Sequence, residues 1–308
     1  MKTCPLFSIC GGCRYDFASP NYRAEKIKKL KNWNLSAEPF WTESGTRRRA
    51  DFCFSGGAFG FYERGTKNII HVEKCPNLVP EINAILPKLS ALPWCGTGSA
   101  LVTVCDNGID LVVTSDVPYF TREFKDAVEK LKLIRVTWNG NIVVQKSQPK
   151  ISFDDKTVDY IAGAFLQPTG SSERAMREFV VSNIGVGARV ADLFCGLGNF
   201  TFATKADGFD IVGNGIKRDL FKNPLSVKML NTYDVVIMDP PRAGALAQTK
   251  LIGESNVKKV IYVSCNPITL RRDAKILSDA GYKITATAAF DQFVGSDHWE
   301  IAVVFKKK

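Results

Sequence analysis

At 308 residues the chain is long enough for two domains, and 45% hydrophobic with 23% charged residues is the make-up of a globular protein with a sizeable core. It has no run of about 18 apolar residues and no apolar region behind Met-Lys-Thr-Cys-Pro. A membrane span, a membrane partner and secretion are therefore not expected; a cytoplasmic monomer is. Of the net charge of +10, residues 1–90 hold 14 Lys/Arg against 8 Asp/Glu, mainly in Arg23–Lys31 and Arg47–Arg49. Such a face suits nucleic acid before membrane, or is an ordinary solvated surface.

The first chemical signal in chain order is Cys4-x5-Cys10-Gly-Gly-Cys13, whose two glycines allow the tight path a chelate needs. Cys75, followed by Pro76, is the fourth candidate. Nine cysteines in a reducing compartment argue for metal or catalysis rather than disulfides. Four thiolates suit an iron–sulfur cluster or a structural zinc, and spacing alone does not separate the two. Cys53, Cys95 and Cys105 read as core.

Arg23 to Trp33 reads as a basic helix, and Arg48–Phe54 with Ala58–Tyr62 as a hairpin about Gly56-Gly57. Further strands are expected at Ser99–Cys105, Gly108–Thr114, Leu133–Trp138 and Asn141–Gln145, the last two joined by an Asn139-Gly140 turn. Residues 1–155 thus look like a mostly antiparallel β domain with an attached metal site.

From about Asp159 helix and strand alternate. Ser171 to Ile184 is a helix, and Gly187–Phe194 a buried strand running into the glycine turn Cys195-Gly-Leu-Gly-Asn199. Thr232–Asp239 is a second buried strand, ending in Asp239-Pro-Pro-Arg242; a third, Lys259–Val263, leads to Ser264-Cys-Asn-Pro267 and a helix from Thr269 to about Ala280. A cysteine between a strand end and a helix mouth sits where backbone N–H groups favour negative charge, which lowers a thiol's pKa and makes a nucleophile. The last strand, Trp299 to Phe305, follows His298 and carries Glu300.

Taken together, Cys4/Cys10/Cys13/Cys75, Phe165-Leu-Gln167, Asp192-Leu-Phe-Cys-Gly-Leu-Gly-Asn199, Asp239-Pro-Pro-Arg-Ala-Gly244, Ser264-Cys-Asn-Pro267 and His298-Trp-Glu300 resemble the RNA uracil-C5-methyltransferase family, in particular its iron–sulfur members that act on 23S rRNA. The resemblance implies a Rossmann-like methyltransferase domain over residues 156–308, preceded by an iron–sulfur and RNA-binding domain over 1–155. It implies a [4Fe–4S] cluster on Cys4, Cys10, Cys13 and Cys75, and S-adenosylmethionine at Gln167, Phe194, Asn199, Asp219 and Asp239. It further implies Cys265 as the nucleophile that adds to uracil C6 and Glu300 as the base that removes the C5 proton, with His298 orienting it or standing on the surface. The RNA is 23S rRNA, with tRNA or a catalytically weakened RNA-binding relative as alternatives.

Two departures stand out. An N-terminal RNA-binding β-barrel of the kind many relatives carry is not expected. After Asp210-Ile-Val-Gly213, where the family places an acid for the cofactor ribose, roughly 20 residues of a βαβ unit that needs about 30 or more are missing. The strand before this gap is expected at the sheet edge, with Asn214 or Asp219 near the cofactor.

Overall fold

The computed structural model describes residues 3–30 and 33–307. Its contacts divide the chain into two units. The first comprises Met1–Leu30, Glu43–Gly170 and Phe293–Asp297; the second comprises Lys31–Thr42, Ser171–Gln292 and His298–Lys308. The division at Gly170/Ser171 falls beyond the expected 155/156, and two short segments trade sides.

In the first unit a seven-stranded sheet runs Ile69–Ile70, Ala58–Tyr62, Arg49–Ser55, Thr97–Cys105, Gly108–Ser115, Leu133–Trp138 and Asn141–Gln145. All neighbours are antiparallel except Gly108–Ser115 with Leu133–Trp138, which are parallel because the helix Arg122–Glu129 lies between them in the chain. Asn139 (φ 48°) and Gly140 (φ 81°) make the expected hairpin turn. Alternating large apolar residues bury an aromatic stack: Trp94 lies 4.7 Å from Phe54 and 4.9 Å from Phe59, and Phe124 packs edge-on to Trp138 at 5.0 Å. The expected basic helix is short, Tyr22–Ile27 with a tighter turn over Lys28–Leu30; the rest of that expectation includes Lys31 and Asn32, outside the described residues. Lys26 is wholly buried, so the basic run is not a uniform solvated face. Nor is Arg47–Arg49: these side chains donate to the carbonyls of Arg49, Gln167 and Leu166 respectively, and so act first as stitches within the unit.

The second unit is an eight-stranded α/β sheet in the order Phe40–Trp41, Tyr282–Asp291, Glu300–Lys307, Lys259–Ser264, Val235–Met238, Val190–Leu193, Asp207–Asp210, Ile216–Lys217. Every neighbour pair is parallel except those made by Glu300–Lys307, which is antiparallel to both its neighbours. The central strands Val190–Leu193 and Val235–Met238 are buried throughout, as continuous apolar runs in a parallel sheet should be.

The expectation that Asp207–Asp210 would be the sheet edge is corrected. A two-residue stub, Ile216–Lys217, pairs outside it, Phe209 opposite Ile216 and Asp210 opposite Lys217. A crossover normally takes a dozen or more residues, but a stub this short requires the chain to retreat by barely one position, so residues 211–215 suffice without a helix. That return is packed backbone to backbone. Gly213 has φ 121°, and a Cβ there would sit 1.8 Å from the Gly196 carbonyl oxygen; one on Gly215 would sit 2.6 Å from Cys195 Sγ. No described helix is long and apolar enough to cross a membrane.

Candidate active site

In the α/β unit the expected strand-end loops are tied together by named bonds. Cys265 follows the strand Lys259–Ser264 and precedes the helix Pro267–Asp279. Asn266 caps that helix, its Oδ1 accepting from Ile268 N at 3.1 Å while its Nδ2 donates to the Arg242 carbonyl at 2.8 Å. Thr269 Oγ1 donates to the same carbonyl, at 3.3 Å. Behind them Asp273, fully buried, accepts from Ala245 N (2.9 Å), Tyr262 OH (2.7 Å) and Arg272 Nε (2.8 Å). The cysteine loop and the Asp239-Pro-Pro-Arg242 loop are therefore one braced assembly. Asp273 and Asn266 are anchors that the strand pattern did not single out.

The thiol of Cys265 is half-buried and pushed up to about 11, first by burial, then by the negative charges of Glu300 and Asp239, against a smaller opposing pull from Arg242. This reverses the expectation of a lowered pKa. The helix-mouth argument counted local N–H dipoles, whereas two through-space carboxylates and loss of water outweigh them. Glu300 is itself buried, and burial followed by the charge of Asp239 raises it well above the ordinary carboxyl value; Gln292 Nε2 donates to its Oε2 at 2.6 Å and pulls the other way. Asp239 rises to about 7, through burial and then the charge of Asp192, and Asp192 rises to about 7 mainly through burial, despite a 2.6 Å bond from Thr201 Oγ1. Burial and neighbouring acids thus raise Cys265, Glu300, Asp239 and Asp192 together. Gln292 was missed because only the pairing of Tyr282–Asp291 with Glu300–Lys307 brings it to Glu300. His298 is exposed.

Next to these acids, Phe194 takes a left-handed backbone (φ 62°) and its ring lies 5.4 Å from that of Phe221. Gly196 and Gly198 are also left-handed, at φ 52° and 99°. Asn199 Oδ1 accepts from Arg177 Nη1 at 2.7 Å, leaving its buried Nδ2 without a partner, as is Asp192 Oδ1. Asp210 ends its strand and is spent on backbone: Oδ2 accepts from Gly196 N at 2.8 Å and Oδ1 from Val212 N at 3.1 Å. Asp219 likewise closes a turn, accepting from Phe221 N (3.1 Å) and Lys222 N (3.2 Å), and Asn214 Nδ2 donates to the Leu197 carbonyl at 3.0 Å. Gln167 is a residue of the first unit, buried, its carbonyl accepting from Arg48 Nε at 3.2 Å. A bare glycine turn, an orphaned buried amide donor and proton-holding carboxyls fit a cofactor that carries a carboxylate and a sulfonium cation.

In the first unit Cys4, Cys10, Cys13 and Cys75 feel one another's charge: Cys13 is raised to about 12 by burial and then by Cys75, Cys10 and Cys4. Cys10 and Cys75 are raised mainly by burial. Among the described residues no group of three or more His, Cys, Asp or Glu is arranged to hold a metal ion. The two observations differ because charge acts over a longer reach than coordination; the thiols are neighbours without being drawn onto one ion. The expected metal site is therefore not formed among the described residues. Asn77 Nδ2 points at Cys13 Sγ and Gly12 N at Cys10 Sγ, both at 3.4 Å, and the half-buried Arg47 faces Cys75 and Cys13.

A parallel α/β sheet with one antiparallel strand, a glycine turn after its central strand and acids at the strand ends defines an S-adenosylmethionine-dependent methyltransferase fold. The comparisons make this specific. A family model described as tRNA (uracil-5-)-methyltransferase matches residues 216–308. An uncharacterized RNA methyltransferase of Mesorhizobium japonicum is 34% identical, over 99% of this chain and 84% of its own length. That alignment runs over 345 positions against a chain of 308 residues, so the relative carries segments this chain lacks. A 23S rRNA (uracil(1939)-C(5))-methyltransferase of Enterobacter is 28% identical, over 98% and 81% of the two chains. Among solved structures, Pyrococcus abyssi tRNA (uracil-54, C5)-methyltransferase in complex with S-adenosyl-L-homocysteine superposes with a TM-score of 0.75 at 21% identity, covering 99% of this chain and 87% of that one, a likeness of fold. The chain belongs to the RNA (uracil-5-)-methyltransferase family.

Proposed function

We propose that this protein methylates C5 of a uridine in RNA, 23S rRNA first, through a covalent adduct between Cys265 and uracil C6. The observation that carries the reading is the mutual field of Cys265, Glu300 and Asp239 within one unit. Uracil C5 is a poor nucleophile. Bonding of the Cys265 sulfur to C6, with its thiol proton passing to water, pushes the ring electrons into an enolate whose C5 can attack a methyl group. S-adenosylmethionine, when bound, supplies that methyl group and a positive sulfonium. Asn199, Asp239, Phe194 and the glycine turn would hold it, with Gln167 a further candidate, while Asp219 is turned to its own backbone. After transfer the Glu300 carboxylate takes the C5 proton, the C5 electrons re-form the double bond, and the S–C6 bond breaks to return the Cys265 thiolate. Gln292 keeps the Glu300 oxygen aimed. The target base must be unstacked to enter, so a loop or opened helix in a cytoplasmic RNA is the substrate.

The first unit, with the 1–155 region, would carry a [4Fe–4S] cluster on Cys4, Cys10, Cys13 and Cys75 and bind RNA. Because Asp210 and Asp219 are engaged with backbone, cofactor affinity is low: a missing charged hydrogen bond to the ribose is worth about 1.5–3 kcal/mol, roughly 10- to 150-fold. The test is trapping on 5-fluorouridine RNA. A denaturation-stable adduct that vanishes in Cys265→Ala is expected; RNA binding without an adduct, together with no calorimetric response to millimolar S-adenosylmethionine, would make the chain an RNA-binding relative instead. The names of the family model and of the Pyrococcus structure favour tRNA as the second substrate, so mapping 5-methyluridine in both RNAs with and without the gene assigns the target.

A further inference from the structure

The helix that follows the nucleophile turns a mixed face outward. In Pro267–Asp279 the inward positions Leu270, Asp273 and Leu277 are buried, while Ile268, Arg271, Arg272 and Lys275 are exposed. The exposed four recur at the i, i+3, i+4, i+7 spacing of one helix face. Such a face is ordinarily polar throughout, yet its first residue, Ile268, is apolar and 77% exposed. A single exposed apolar side chain needs no account by itself. This one stands three positions after Cys265, on a first turn that is held in place. Asn266 caps Ile268 N, and Asn266 Nδ2 and Thr269 Oγ1 both hold the Arg242 carbonyl. One turn further on, the Arg271 guanidinium lies over the Trp33 ring, 5.8 Å from its centre, and both residues belong to the α/β unit. An indole face steadies a guanidinium without neutralising it. The two acids of the helix are engaged elsewhere, Asp273 in the buried brace and Asp279 with Lys275 Nζ at 3.0 Å. Arg272 is engaged with Asp273 and the Ala243 carbonyl. The face therefore reads, away from the cysteine, as an apolar tip followed by one aromatic-backed cation. At a rise of 1.5 Å per residue the two are about 4.5 Å apart along the axis, comparable with the spacing of neighbouring nucleotides in a strand.

We propose that this face holds the RNA beside the target uridine: Ile268 fills the gap that the extruded base leaves in its stack, and Arg271, backed by Trp33, takes the phosphate of the adjoining nucleotide. The inference rests on the methyltransferase reading above and adds to it how the base is kept out. A uridine bonded to Cys265 has left its neighbours, and the vacancy costs stacking unless an apolar group enters it. Ile268 is β-branched, so it has little χ1 freedom to lose on insertion. Arg271 contributes a salt-dependent hold that positions the strand without reading its sequence. The two residues thus divide the work. Ile268 acts on extrusion of the base, and Arg271 acts on the affinity for the strand.

The test uses the full chain, S-adenosylmethionine and folded total RNA from cells that lack the gene and were grown with 5-fluorouracil. In this RNA a fluorine replaces the C5 proton that Glu300 would remove, so captured protein stays attached and is counted by denaturing electrophoresis. Half-saturation is read by filter binding over a range of salt. Ile268→Ala should slow adduct formation at saturating RNA by about tenfold or more, with half-saturation and the urea unfolding midpoint unchanged, and Ile268→Leu should restore the rate. Arg271→Gln should weaken half-saturation and lower the log–log salt slope by about 1, and Arg271→Lys should restore the slope. Ile268→Ala at the parent's rate, or slowed only through weaker half-saturation, overturns the wedge. An unchanged slope in Arg271→Gln overturns the phosphate contact. Adduct formation and salt slope equal to the parent's in both variants overturn this inference and leave the methyltransferase reading standing. No adduct from the parent, on RNA that includes both rRNA and tRNA, overturns both.

Discussion

This chain gathers reactive sulfur in two places, and their neighbours differ. Cys13 is raised to about 12 by burial and by three other cysteines, with the half-buried Arg47 the positive group facing it. Cys265 is raised to about 11 by burial and by two carboxyls, with Arg242 opposing. Both are kept as thiols by the same physics, lost hydration plus nearby negative charge. The first sits among other thiols and the second among carboxyls. The lesson is that the company of a cysteine states its trade, since only the second set includes groups able to move a proton.

The comparison breaks most sharply by exchanging losses. Cys265→Ala should lower methyl transfer by about 10^4-fold or more in a tritium-release assay; on the proposed cluster reading, Cys13→Ala and not Cys265→Ala should lower the iron content measured by iron analysis. Glu300→Gln should cut turnover by about 10^2- to 10^4-fold and leave ordinary uridine RNA covalently attached, visible as a shifted band in denaturing electrophoresis. Gly213→Ala, which forces a methyl group onto the Gly196 carbonyl, should cost about 1–3 kcal/mol in denaturant unfolding.

The raised carboxyls give a stability test whose sign is fixed. Asp192 and Asp239 hold protons in the folded protein up to about pH 7 but lose them near the ordinary value of 3.8 when unfolded. Their contribution is therefore fully present below that ordinary value and is lost as pH rises through about 7. Asp192→Asn should flatten this decline, with a gain of order 1–4 kcal/mol at pH 8 relative to the parent, measured by urea titration at pH 5 and 8. The smallest effect is a fraction of a proton. A cation beside Asp239 lowers its pKa, so S-adenosylmethionine should release more protons on binding near pH 7 than neutral S-adenosylhomocysteine, read by calorimetry in buffers of different ionisation enthalpy.

Local signals carried much of the fold. Asn139-Gly140 announced its hairpin, and the apolar runs before Asp239 and Cys265 announced buried parallel strands because alternation is absent where both faces are covered. What escaped depends on partners distant in sequence. Phe40–Trp41 becomes a strand by pairing with Phe290 and Asp291, and Gln292 reaches Glu300 across a hairpin. The thiol of Cys265 was read with the wrong sign because carboxyls 26 residues before and 35 after it are invisible to a local dipole argument. Asp210 was overlooked for the opposite reason: it lies inside the strand whose following residues drew the search, and it braces Gly196.

The return over residues 211–215 also leaves little room for a longer loop. With Gly213 and Gly196 in contact through main-chain atoms, the space in which a longer excursion would re-enter is taken by the peptide itself. An insertion at this point would have to unseat the glycine turn before it could add anything. Any stronger hold on a nucleoside would therefore have to come from elsewhere in the chain.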